Sequence, residues 1–410
     1  MLSVEEARAK VIEVLTARTK SCAPKMETIE FALDPSRALG RILGEQVVAD
    51  RNYPPFNRSI RDGFAVRASD AAQPGAKLRL IGESRAGVAF DGAVDEGECV
   101  RILTGAAMPR GASAVVMQEY AKEEGEFVIF EQAAKLGQYY VHAGAEARAG
   151  EVVIVRGTRL GYPELAMAAE VGRVTVAVNR RPRVAILSTG DEIVEVDQTP
   201  GPFQIRNSNT ISLSAQVALA GGEPVPLVNA RDDMSELRSK IEQGLMADIL
   251  VLSGGVSVGK YDLVEKALRE MGAEFFFDAV ALRPGKPAVF GWCKGKPVFG
   301  LPGNPVSTMV TFELFAVPAI ELMSCCKPQA LPFFRAKLAH AVNEKPGVAH
   351  YLPARVSWPN GEPHVELMLW EGSGDIGAVV RGNCFVRVDQ PRLQIEAGEW
   401  VDVLPRRGAF

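Results

Sequence analysis

Carboxylates, glycines, hydroxyls and cations follow apolar segments in the middle of the chain. Asp191 and Glu192 end the segment STGDE, which directly follows an apolar run. The segment SGGVSVGKYD, residues 253–262, offers backbone that a ligand can approach closely and then a carboxylate, and RPGKP at 283–287 adds two cations. Carboxylate oxygens are ligands that Mg²⁺ prefers, and cations bind phosphate. The residue types therefore predict a phosphorylated ligand bound together with Mg²⁺.

The stretch GLPGNPVS, residues 300–307, interrupts a long apolar region with two prolines around Gly-Asn. Gly303 permits a tight bend that a Cβ would hinder. Asn304 suits the position that caps a helix, Pro305 suits its first residue, and Ser307 falls inside the first turn. Because the start of a helix leaves N–H groups free, this segment is predicted to bind an anion.

Each of these signals has a more ordinary explanation. An isolated acidic pair usually caps a helix or faces solvent, a glycine pair is a weak turn signal, and a single lysine in a turn is usually a solvated charge. Their coincidence is more informative, because all of these turns fall at strand ends of one predicted domain, and ligands of open α/β sheets bind beyond the carboxyl ends of the strands. Spacing alone predicts an anion-binding α/β domain.

The elements that position these residues change type along the chain. The first stretch is predicted to be a helix with Ser3 and Glu6 spaced as a capping box, and short strands with glycine- and proline-rich turns follow it. From Val184 to about Ser324, strands alternate with helices, which is typical of a mostly parallel sheet with helices on both faces. After Pro328 the pattern is all β, with an Asn-Gly hairpin signal, and predicts a small barrel or sandwich.

The overall composition limits the kinds of partner and the cellular compartment that we expect for the protein. The 410-residue chain has a net charge of −4 and 47% hydrophobic residues, so it has ample core and no excess of basic residues for a nucleic acid. The first residues are charged and amphipathic rather than secretory, and no apolar run looks long and clean enough to span a bilayer. The six cysteines are scattered, without metal-ligand or redox-motif spacing. We therefore expect a cytoplasmic protein with no nucleic acid and no membrane partner.

These motifs, in this order, resemble those of the MoeA-type molybdopterin molybdenumtransferases, which are related to the E domain of gephyrin. The shared segments of the α/β block are STGDE, IRNSN, SGGVSVG with the following Tyr-Asp, RPGKP and GLPGNPVS. In the first half of the chain, PPFNRSIRDGFAVR (54–67) and RILTGAAMPRGASAVVMQE (101–119) are similar to two further motifs of the family. The resemblance spans nearly the whole chain, and the combination is far more specific than any one motif.

The resemblance implies a multidomain α/β plus β fold. An elongated N-terminal region at 1–180 would carry an inserted β-rich lobe at about 50–145, followed by a MogA-like three-layer α/β/α domain at 181–328 that binds molybdopterin and by a C-terminal β-barrel domain at 329–410. Family members are homodimers, with each site formed between the α/β domain of one subunit and the N-terminal lobe of the other. The molybdopterin adenylyltransferase would be a further partner.

The reaction implied by the resemblance joins molybdenum to the dithiolene sulfurs of adenylylated molybdopterin. Molybdate and adenylylated molybdopterin are the substrates, Mg²⁺ is the cofactor and AMP is released. The residues that match the family's catalytic positions are Asp62, Thr104, Glu192, Asp232 and Asp262, and Glu192 and Asp262 would hold the metal. The residues expected to bind the pterin, its phosphate or molybdate are Ser253, Gly254, Gly255, Ser257, Arg283, Lys286, Pro302, Gly303, Asn304, Pro305 and Ser307. For Asp62, the alternative is a turn-stabilising role beside Gly63.

The chain departs from the family pattern at several positions. Glu146 stands where an aspartate is common, Ala279 where a lysine is, and Lys260 where an acid is, while Arg58 and Arg61 bring extra positive charge. A diverged homologue that binds molybdopterin or serves as a scaffold without catalysis is therefore the alternative function. The preceding adenylylation of molybdopterin is a third interpretation, and the large N-terminal region argues against it.

Overall fold

The computed structural model describes residues 1–19, 25–255, 263–389 and 391–409, so the predicted site residues Ser257 and Asp262 lie outside the described residues. The helices of the described part are α1 (Val4–Thr19), α2 (Tyr162–Glu170), α3 (Ser208–Leu219), α4 (Met234–Gly244), α5 (Leu263–Glu270), α6 (Pro305–Thr311), α7 (Val317–Met323) and α8 (Ile376–Arg381). A π-helical turn at Phe312–Ala316 joins α6 to α7. Short 3₁₀ turns occupy Pro35–Arg37, Gln118–Tyr120 and Pro359–Gly361.

Strands dominate the first part of the chain. They are β1 (Met26–Glu30), β2 (Val47–Val48), β3 (Arg58–Ser59), β4 (Gly63–Val66), β5 (Ala76–Ser84), β6 (Glu98–Ile102), β7 (Ala114–Met117), β8 (Ala121–Glu124), β9 (Phe127–Phe130), β10 (Tyr140–Val141), β11 (Val152–Ile154) and β12 (Thr175–Asn179). Six of them form one sheet in the order β7-β4-β6-β5-β9-β8. Phe64, Leu78 and Phe130 are buried in its core. This sheet is the β-rich lobe expected from the sequence.

The middle of the chain builds a six-stranded sheet with helices on both faces. The strands of this part are β13 (Arg183–Ser188), β14 (Ile193–Val194), β15 (Ile205–Arg206), β16 (Glu223–Pro226), β17 (Ile249–Ser253), β18 (Glu274–Phe277), β19 (Leu282–Arg283), β20 (Val289–Cys293) and β21 (Lys296–Leu301). The sheet order is β16-β13-β17-β21-β20-β18, and β16, β13, β17 and β21 are parallel.

Alternate residues of these strands face opposite sides of the sheet. Ile186 and Val251 share a core with residues of α3, α6 and α7. Leu187 and Leu252 share another core with residues of α4 and α5. The expected three-layer α/β/α arrangement is therefore confirmed.

The first helix packs against α7, far from it in sequence. The capping box expected at its start is present, because Ser3 N–H donates to Glu6 Oε2 at 2.8 Å and Glu6 N–H donates to Ser3 Oγ at 3.1 Å. Val11 and Leu15 are fully buried in the same core as Ile320 of α7. Helix α1 therefore completes the core of the α/β region.

The last part of the chain closes into a barrel. Its strands are β22 (Phe334–Leu338), β23 (Val342–Asn343), β24 (Ala349–Ser357), β25 (His364–Leu367), β26 (Cys384–Val388), β27 (Gln394–Ile395) and β28 (Trp400–Pro405). Five of them form a closed ring in the order β24-β25-β22-β28-β26, and β26 pairs back with β24. The strand β19 of the preceding region pairs with the first residues of β24. The expected barrel is confirmed, and the Asn-Gly signal marks the turn between β24 and β25.

The expectation that the chain is all β after Pro328 is wrong at α8. Asp375 caps this helix, because its Oδ1 accepts the N–H of Ala378 at 3.1 Å. The helix is short and contains Val379 and Val380, two β-branched residues that favour strands in sequence patterns. Capping chemistry and tertiary packing outweigh that preference here.

Among the described residues, one helical segment is long and apolar enough, by length and composition, to cross a membrane, contrary to the expectation from the sequence. It runs over 19 residues from Pro305 to Met323, and 78% of its apolar window is buried inside the protein. Its Glu321 is 3% exposed and accepts the N–H of Gln329 at 3.0 Å. The apolar side chains of this segment face the cores described above, as those of a central helix in a globular protein do.

Candidate active site

Three neighbouring parallel strands end at the same edge of the sheet. Ser188 of β13 pairs in register with Ser253 of β17, which pairs with Leu301 of β21. The segments that follow these strands therefore meet, as the sequence predicts. They line a cavity of about 450 Å³, which we call the strand-end cavity; its lining includes residues 188–190, Glu192, 205–209, Asp232, 253–255 and 302–305.

Two asparagines at the start of α3 tie these segments together. Asn207 is the capping residue of α3, and its Oδ1 accepts the hydroxyl of Ser188 at 3.0 Å. Asn209 Nδ2 donates to Ser253 Oγ at 2.8 Å and to the Gly303 carbonyl oxygen at 2.7 Å. Both asparagines lie in the IRNSN motif but are not among the site residues predicted from the sequence. The available signal was a polar cluster at the start of a predicted helix.

Polar atoms in the wall of this cavity lack a hydrogen-bond partner among the described residues. They include Thr189 Oγ1, Asn207 Nδ2 and Asn209 Oδ1, all buried. An unsatisfied buried polar group costs about 1–3 kcal/mol, so each atom favours a bound partner. The amide nitrogen can only donate, the amide oxygen can only accept, and the hydroxyl can do either. The wall of the cavity is therefore polar on the side of Thr189, Asn207 and Asn209.

Glycine is required at two positions where β17 ends. Gly254 has a φ of 91° and Gly255 a φ of 63°, in the left-handed region. A Cβ on Gly254 would lie 2.6 Å from the carbonyl oxygen of Thr189. The expectation that a Cβ at Gly303 would hinder a tight bend is wrong. A Cβ added to Gly303 would lie 3.5 Å from the Cα of Gly254, an ordinary contact distance, and the backbone of Gly303 is not left-handed. The tight position in this loop is Gly254.

The loop before α6 is arranged partly as expected. Asn304 occupies the cap position and Pro305 follows it in the first turn, but the side chain of Asn304 makes no capping bond and donates to Ser373 Oγ at 2.8 Å. The N–H of Val306 donates to the Ser373 carbonyl at 2.9 Å. The expectation that this helix start leaves its N–H groups free is therefore wrong at Val306. Ser307 lies in the first turn and is buried.

Three carboxylates stand beside the strand-end cavity. Glu192 and Asp232 line it, and the N–H of Asp232 donates to Asp191 Oδ1 at 3.2 Å. Partial burial raises the pKa of Asp232 above its ordinary value, and repulsion from Asp191 and Glu192 raises it further. This concentration of negative charge favours a cation. The described residues contain no group of three or more His, Cys, Asp or Glu side chains placed to hold a metal, so a cation here would need oxygen atoms from water or from the ligand.

A second cavity adjoins the first. It measures about 730 Å³, and we call it the barrel cavity because barrel residues form one wall. Both cavities are lined by Pro287, Pro302 and Asn304. The polar and charged residues lining only the barrel cavity include Arg283, Lys286, Ser307, Glu344, His350, Glu371 and Ser373.

The two cations of the barrel cavity are available to a ligand. Arg283 and Lys286 are exposed. Neither forms an ion pair or a side-chain hydrogen bond with any residue in the described ranges. Two uncompensated cations in a concave site are suited to an oxyanion.

Asp62 and Thr104 lie together in the lobe and line neither cavity of the same chain. Asp62 Oδ1 accepts the N–H of Thr104 at 2.6 Å, which lowers the pKa of Asp62 below its ordinary value. This bond joins segments 42 residues apart, so Asp62 is not a merely local turn residue. Both side chains are exposed and can contact another molecule.

The structure thus separates the predicted site residues into three groups. Asp62 and Thr104 are in the lobe. Those at the strand-end cavity are Glu192, Asp232, Ser253, Gly254, Gly255, Pro302, Gly303, Asn304 and Pro305. Those at the barrel cavity are Arg283, Lys286 and Ser307, together with the shared Pro302 and Asn304.

Family models match nearly the whole chain. The MoeA N-terminal region (domain I and II) matches residues 2–172, a probable molybdopterin binding domain matches 185–322, and the MoeA C-terminal region (domain IV) matches 335–405. The molybdopterin molybdenumtransferase of Haemophilus influenzae is 33% identical over 99% of this chain and 98% of its own length. That of Bacillus subtilis is 36% identical over 92% and 90%. The chain belongs to the molybdopterin molybdenumtransferase family.

A solved structure agrees with this assignment. The molybdopterin biosynthesis MoeA protein from Pyrococcus horikoshii OT3 has a TM-score of 0.81 to this chain at 26% identity, and the match covers 99% of this chain and 100% of that chain. The family and the fold class predicted from the sequence are therefore confirmed.

Compared with the molybdopterin molybdenumtransferase pattern, the first half of the chain gains positive charge, because Glu146 replaces an aspartate without changing the charge. Arg58 and Glu146 are both departures from that pattern, and they form an ion pair with an N–O distance of 2.8 Å. Arg58 is therefore paired with a carboxylate in this structure. Arg61 donates to the carbonyl oxygen of Ile60 at 3.1 Å. A neutral carbonyl does not compensate the positive charge of Arg61. Lys260 lies outside the described residues.

Proposed function

We propose that this chain inserts molybdenum into molybdopterin. It would bind adenylylated molybdopterin and molybdate, join molybdenum to the dithiolene sulfurs and release AMP. The observation that carries the proposal is the contact of two unlike cavities across Pro302 and Asn304. One offers carboxylates and unpartnered amide and hydroxyl groups, and the other offers cations. Membership of the molybdenumtransferase family supports the same reaction.

The strand-end cavity is the proposed place of the nucleotide-linked pterin. A pterin ring carries donors and acceptors along one edge, and the polar side of the cavity at Thr189, Asn207 and Asn209 suits such an edge. The backbone at Gly254 and Gly255 allows the close approach that a phosphate needs. Four further residues predicted from the sequence line this cavity and are part of the proposal: Ser253, Pro302, Gly303 and Pro305. Ser257 lies outside the described residues and is proposed from the sequence alone.

The barrel cavity is the proposed place of molybdate. Molybdate is a tetrahedral dianion, and cations with hydroxyl donors are suitable partners for it. Arg283 and Lys286 supply the cations and Ser307 a hydroxyl. The shared loop 302–304 would then hold the two substrates side by side.

Mg²⁺ is the proposed cofactor, and the carboxylate side of the strand-end cavity fits it. Partial burial, and then repulsion from Asp191 and Glu192, raise the pKa of Asp232, and a divalent cation would relieve that repulsion. Mg²⁺ commonly takes one or two protein carboxylates together with water and phosphate oxygens. Glu192 and Asp232 would hold it here, with Asp262 as the further ligand predicted from the sequence. Bound Mg²⁺ would offset the negative charge that develops when the phosphate link breaks.

The assembly is also part of the proposal. Asp62 and Thr104 line neither cavity of their own chain, so we infer a homodimer in which the partner subunit brings its lobe to the site. We also infer a cytoplasmic protein that receives its substrate from the molybdopterin adenylyltransferase.

Release of AMP tests the proposal. Purified protein would be incubated with adenylylated molybdopterin and Mg²⁺, with and without molybdate, and AMP would be quantified over time. We expect molybdate-dependent release from the parent protein, and loss of about a hundredfold or more in Glu192→Gln, which keeps the side-chain shape but removes its charge.

The matched control is Asp197→Asn. Asp197 is an exposed acid five positions away that lines neither cavity, and we expect parent-like release from this variant. Absence of release from the parent, with the nucleotide-linked pterin still bound tightly, would reject the insertase and support the non-catalytic alternative. Equal loss in both variants would reject the assignment of Glu192.

A further inference from the structure

Among the described residues, one cation lines the strand-end cavity, and the proposed function has not yet used it. Arg206 is the last residue of β15 and directly precedes Asn207, the residue that caps α3. It lines the cavity together with the carboxylates of Glu192 and Asp232. Because these acids repel an anionic ligand, a cation in the same lining favours the binding of a phosphate group.

Two backbone hydrogen bonds hold Arg206 beside the acidic segment. The N–H of Ile205 donates to the carbonyl oxygen of Glu192 at 2.8 Å, and the N–H of Asn207 donates to the carbonyl oxygen of Val194 at 2.9 Å. Arg206 lies between these two bonds and is opposite Val194 in the parallel pairing of β14 with β15. The short strand pair that directly follows Glu192 therefore places Arg206 at the cavity.

The guanidinium of Arg206 is anchored at one nitrogen and open at the other two. Its Nε donates to the carbonyl oxygen of Gln198 at 3.1 Å. Its Nη1 and Nη2 form no hydrogen bond or ion pair with any residue that the structure describes, and the side chain is exposed. The planar guanidinium presents its donors in a fork that matches two oxygens of one phosphate group. An anchored side chain also loses less conformational freedom when it binds such a group.

Arg206 and the acids of the cavity would contact a phosphate in different ways. Glu192 and Asp232 can attract phosphate oxygens only through a bound cation such as Mg²⁺. Arg206 belongs to the chain and carries its positive charge whether or not a metal is bound. It can therefore hold a phosphate on the side of the cavity that the metal does not serve.

We propose that Arg206 binds the phosphate that links the nucleotide to the pterin, with Nη1 and Nη2 donating to its oxygens. The inference rests on the proposed function, since it assumes that the strand-end cavity takes adenylylated molybdopterin. Arg206 is then a specificity-determining residue, because a ligand without this phosphate leaves its two free donors without an anion. It lies in the IRNSN motif but is not among the site residues predicted from the sequence.

Binding of AMP and of adenosine in the presence of Mg²⁺, measured by calorimetry, tests this inference without turnover. AMP carries the phosphate of the link, and adenosine is the same nucleoside without it. We expect Arg206→Gln to weaken AMP binding by about tenfold to a hundredfold, because hydrogen bonds to a charged group are lost. Adenosine binding should stay within about threefold of the parent, since adenosine offers Arg206 no anion. Arg206→Lys should lie between, because it keeps the charge but loses the fork of donors.

The matched control is Arg231→Gln. Arg231 is an exposed arginine directly before Asp232 in the chain, and it does not line the cavity. We expect its AMP affinity to stay within about twofold of the parent, because salt screens a charge that makes no contact. A loss equal to that of Arg206→Gln would indicate only a general field and overturn the proposed contact. Equal losses of AMP and adenosine affinity in Arg206→Gln would indicate a structural role and overturn it as well.

Failure of the inference and failure of the proposed function are distinguishable, because release of AMP from adenylylated molybdopterin is measured separately. In that assay Arg206→Gln should raise KM by about tenfold or more with a smaller change in kcat, since the contact already exists in the bound substrate. If molybdate-dependent release persists but the parent binds AMP no more tightly than adenosine, or Arg206→Gln binds AMP as the parent does, only the role of Arg206 is rejected. Parent protein that releases no AMP would reject the proposed function, and with it the phosphate at Arg206.

Discussion

At the scale of single residues, the carboxylates beside the strand-end cavity are closer together than their charges favour. Asp191 accepts a backbone bond from Asp232, and Glu192 follows it in the chain. Burial and these two neighbours raise the pKa of Asp232. A site that stores repulsion in this way is less stable when empty and gains stability when a cation binds.

The first prediction concerns the repulsion of Asp232 by Asp191 and Glu192. Because the folded-state pKa of Asp232 is raised above its unfolded value, ionisation of Asp232 destabilises the folded protein as pH rises through that folded-state pKa. Asp232→Asn should therefore raise the Tm slightly at neutral pH in EDTA, remove that pH dependence and lose most of the stabilisation by Mg²⁺. Thermal unfolding at pH 4 to 7, with and without Mg²⁺, checks it. An unchanged Mg²⁺ response in the variant would contradict it.

The second prediction concerns Asn209, whose amide bonds both Ser253 and the loop at Gly303. Asn209→Ala should lower stability by about 1–2 kcal/mol and weaken binding of the nucleotide-linked pterin by about tenfold or more. Asn229 is the control, because its Nδ2 donates to the Gly190 carbonyl at 3.0 Å but it lines neither cavity. Asn229→Ala should destabilise the protein similarly and leave binding nearly unchanged, as calorimetry would show. Equal losses of binding would argue against a ligand contact at Asn209.

At the scale of elements, the end of β17 tolerates less change than the loop before α6. Gly254→Ala should destabilise the protein by about 1–3 kcal/mol, because a left-handed backbone and a close carbonyl both oppose a Cβ. Gly303→Ala should stay within about 1 kcal/mol of the parent or be slightly stabilising, since its backbone is not left-handed. Urea denaturation of both variants checks this third prediction. Comparable losses would show that the loop at Gly303 is as constrained as the strand end.

Elements with strong local signals could be predicted from the sequence. The capping box of α1 and the strand-helix alternation after Val184 depend on neighbours in the chain, and they are confirmed. Helix α8 could not be predicted, because its valines favour strands and its position depends on the barrel. The free N–H expected at Val306 failed for a related reason, since Ser373 is remote in sequence. The domain boundaries at 180 and 328 stay predictions.

The candidate site shows the same division between local and remote information. The turns with glycine and carboxylate were visible as motifs, and their meeting followed from the rule for parallel sheets. The cation turn RPGKP begins in β19, which pairs with the barrel strand β24 and not with that sheet. The bonds of Asn209 to Ser253 and to the loop at Gly303 arise only when distant segments pack. The type of a polar residue in a motif does not predict the remote group with which it will form a hydrogen bond.

At the scale of the whole molecule, the fourth prediction follows from the proposed dimer. If Asp62 and Glu192 act in one site but come from different subunits, two inactive variants can restore each other. After denaturation, mixing and refolding of Asp62→Asn with Glu192→Gln, half of the dimers are mixed and each holds one intact site, so about a quarter of parent activity should return. AMP release by the refolded mixture measures it.

The control for this experiment pairs two variants of the same region. Glu192→Gln mixed with Asp232→Asn leaves every site with one defect, so no activity should return. Recovery in this control, or none in the first mixture, would contradict a site shared between the lobe and the α/β region. The AMP release of refolded parent protein defines full activity in this experiment.

The packing of α1 has a consequence for the time course of synthesis. Its buried residues, including Val11 and Leu15, lie against α7, about 300 residues later in the chain. At about 5–20 residues per second, a ribosome adds the intervening chain over roughly 15 to 60 seconds. During that interval the apolar face of α1 lacks the helix against which it packs in the folded protein. The α/β core therefore closes only when the last third of the chain, which contains α7, emerges.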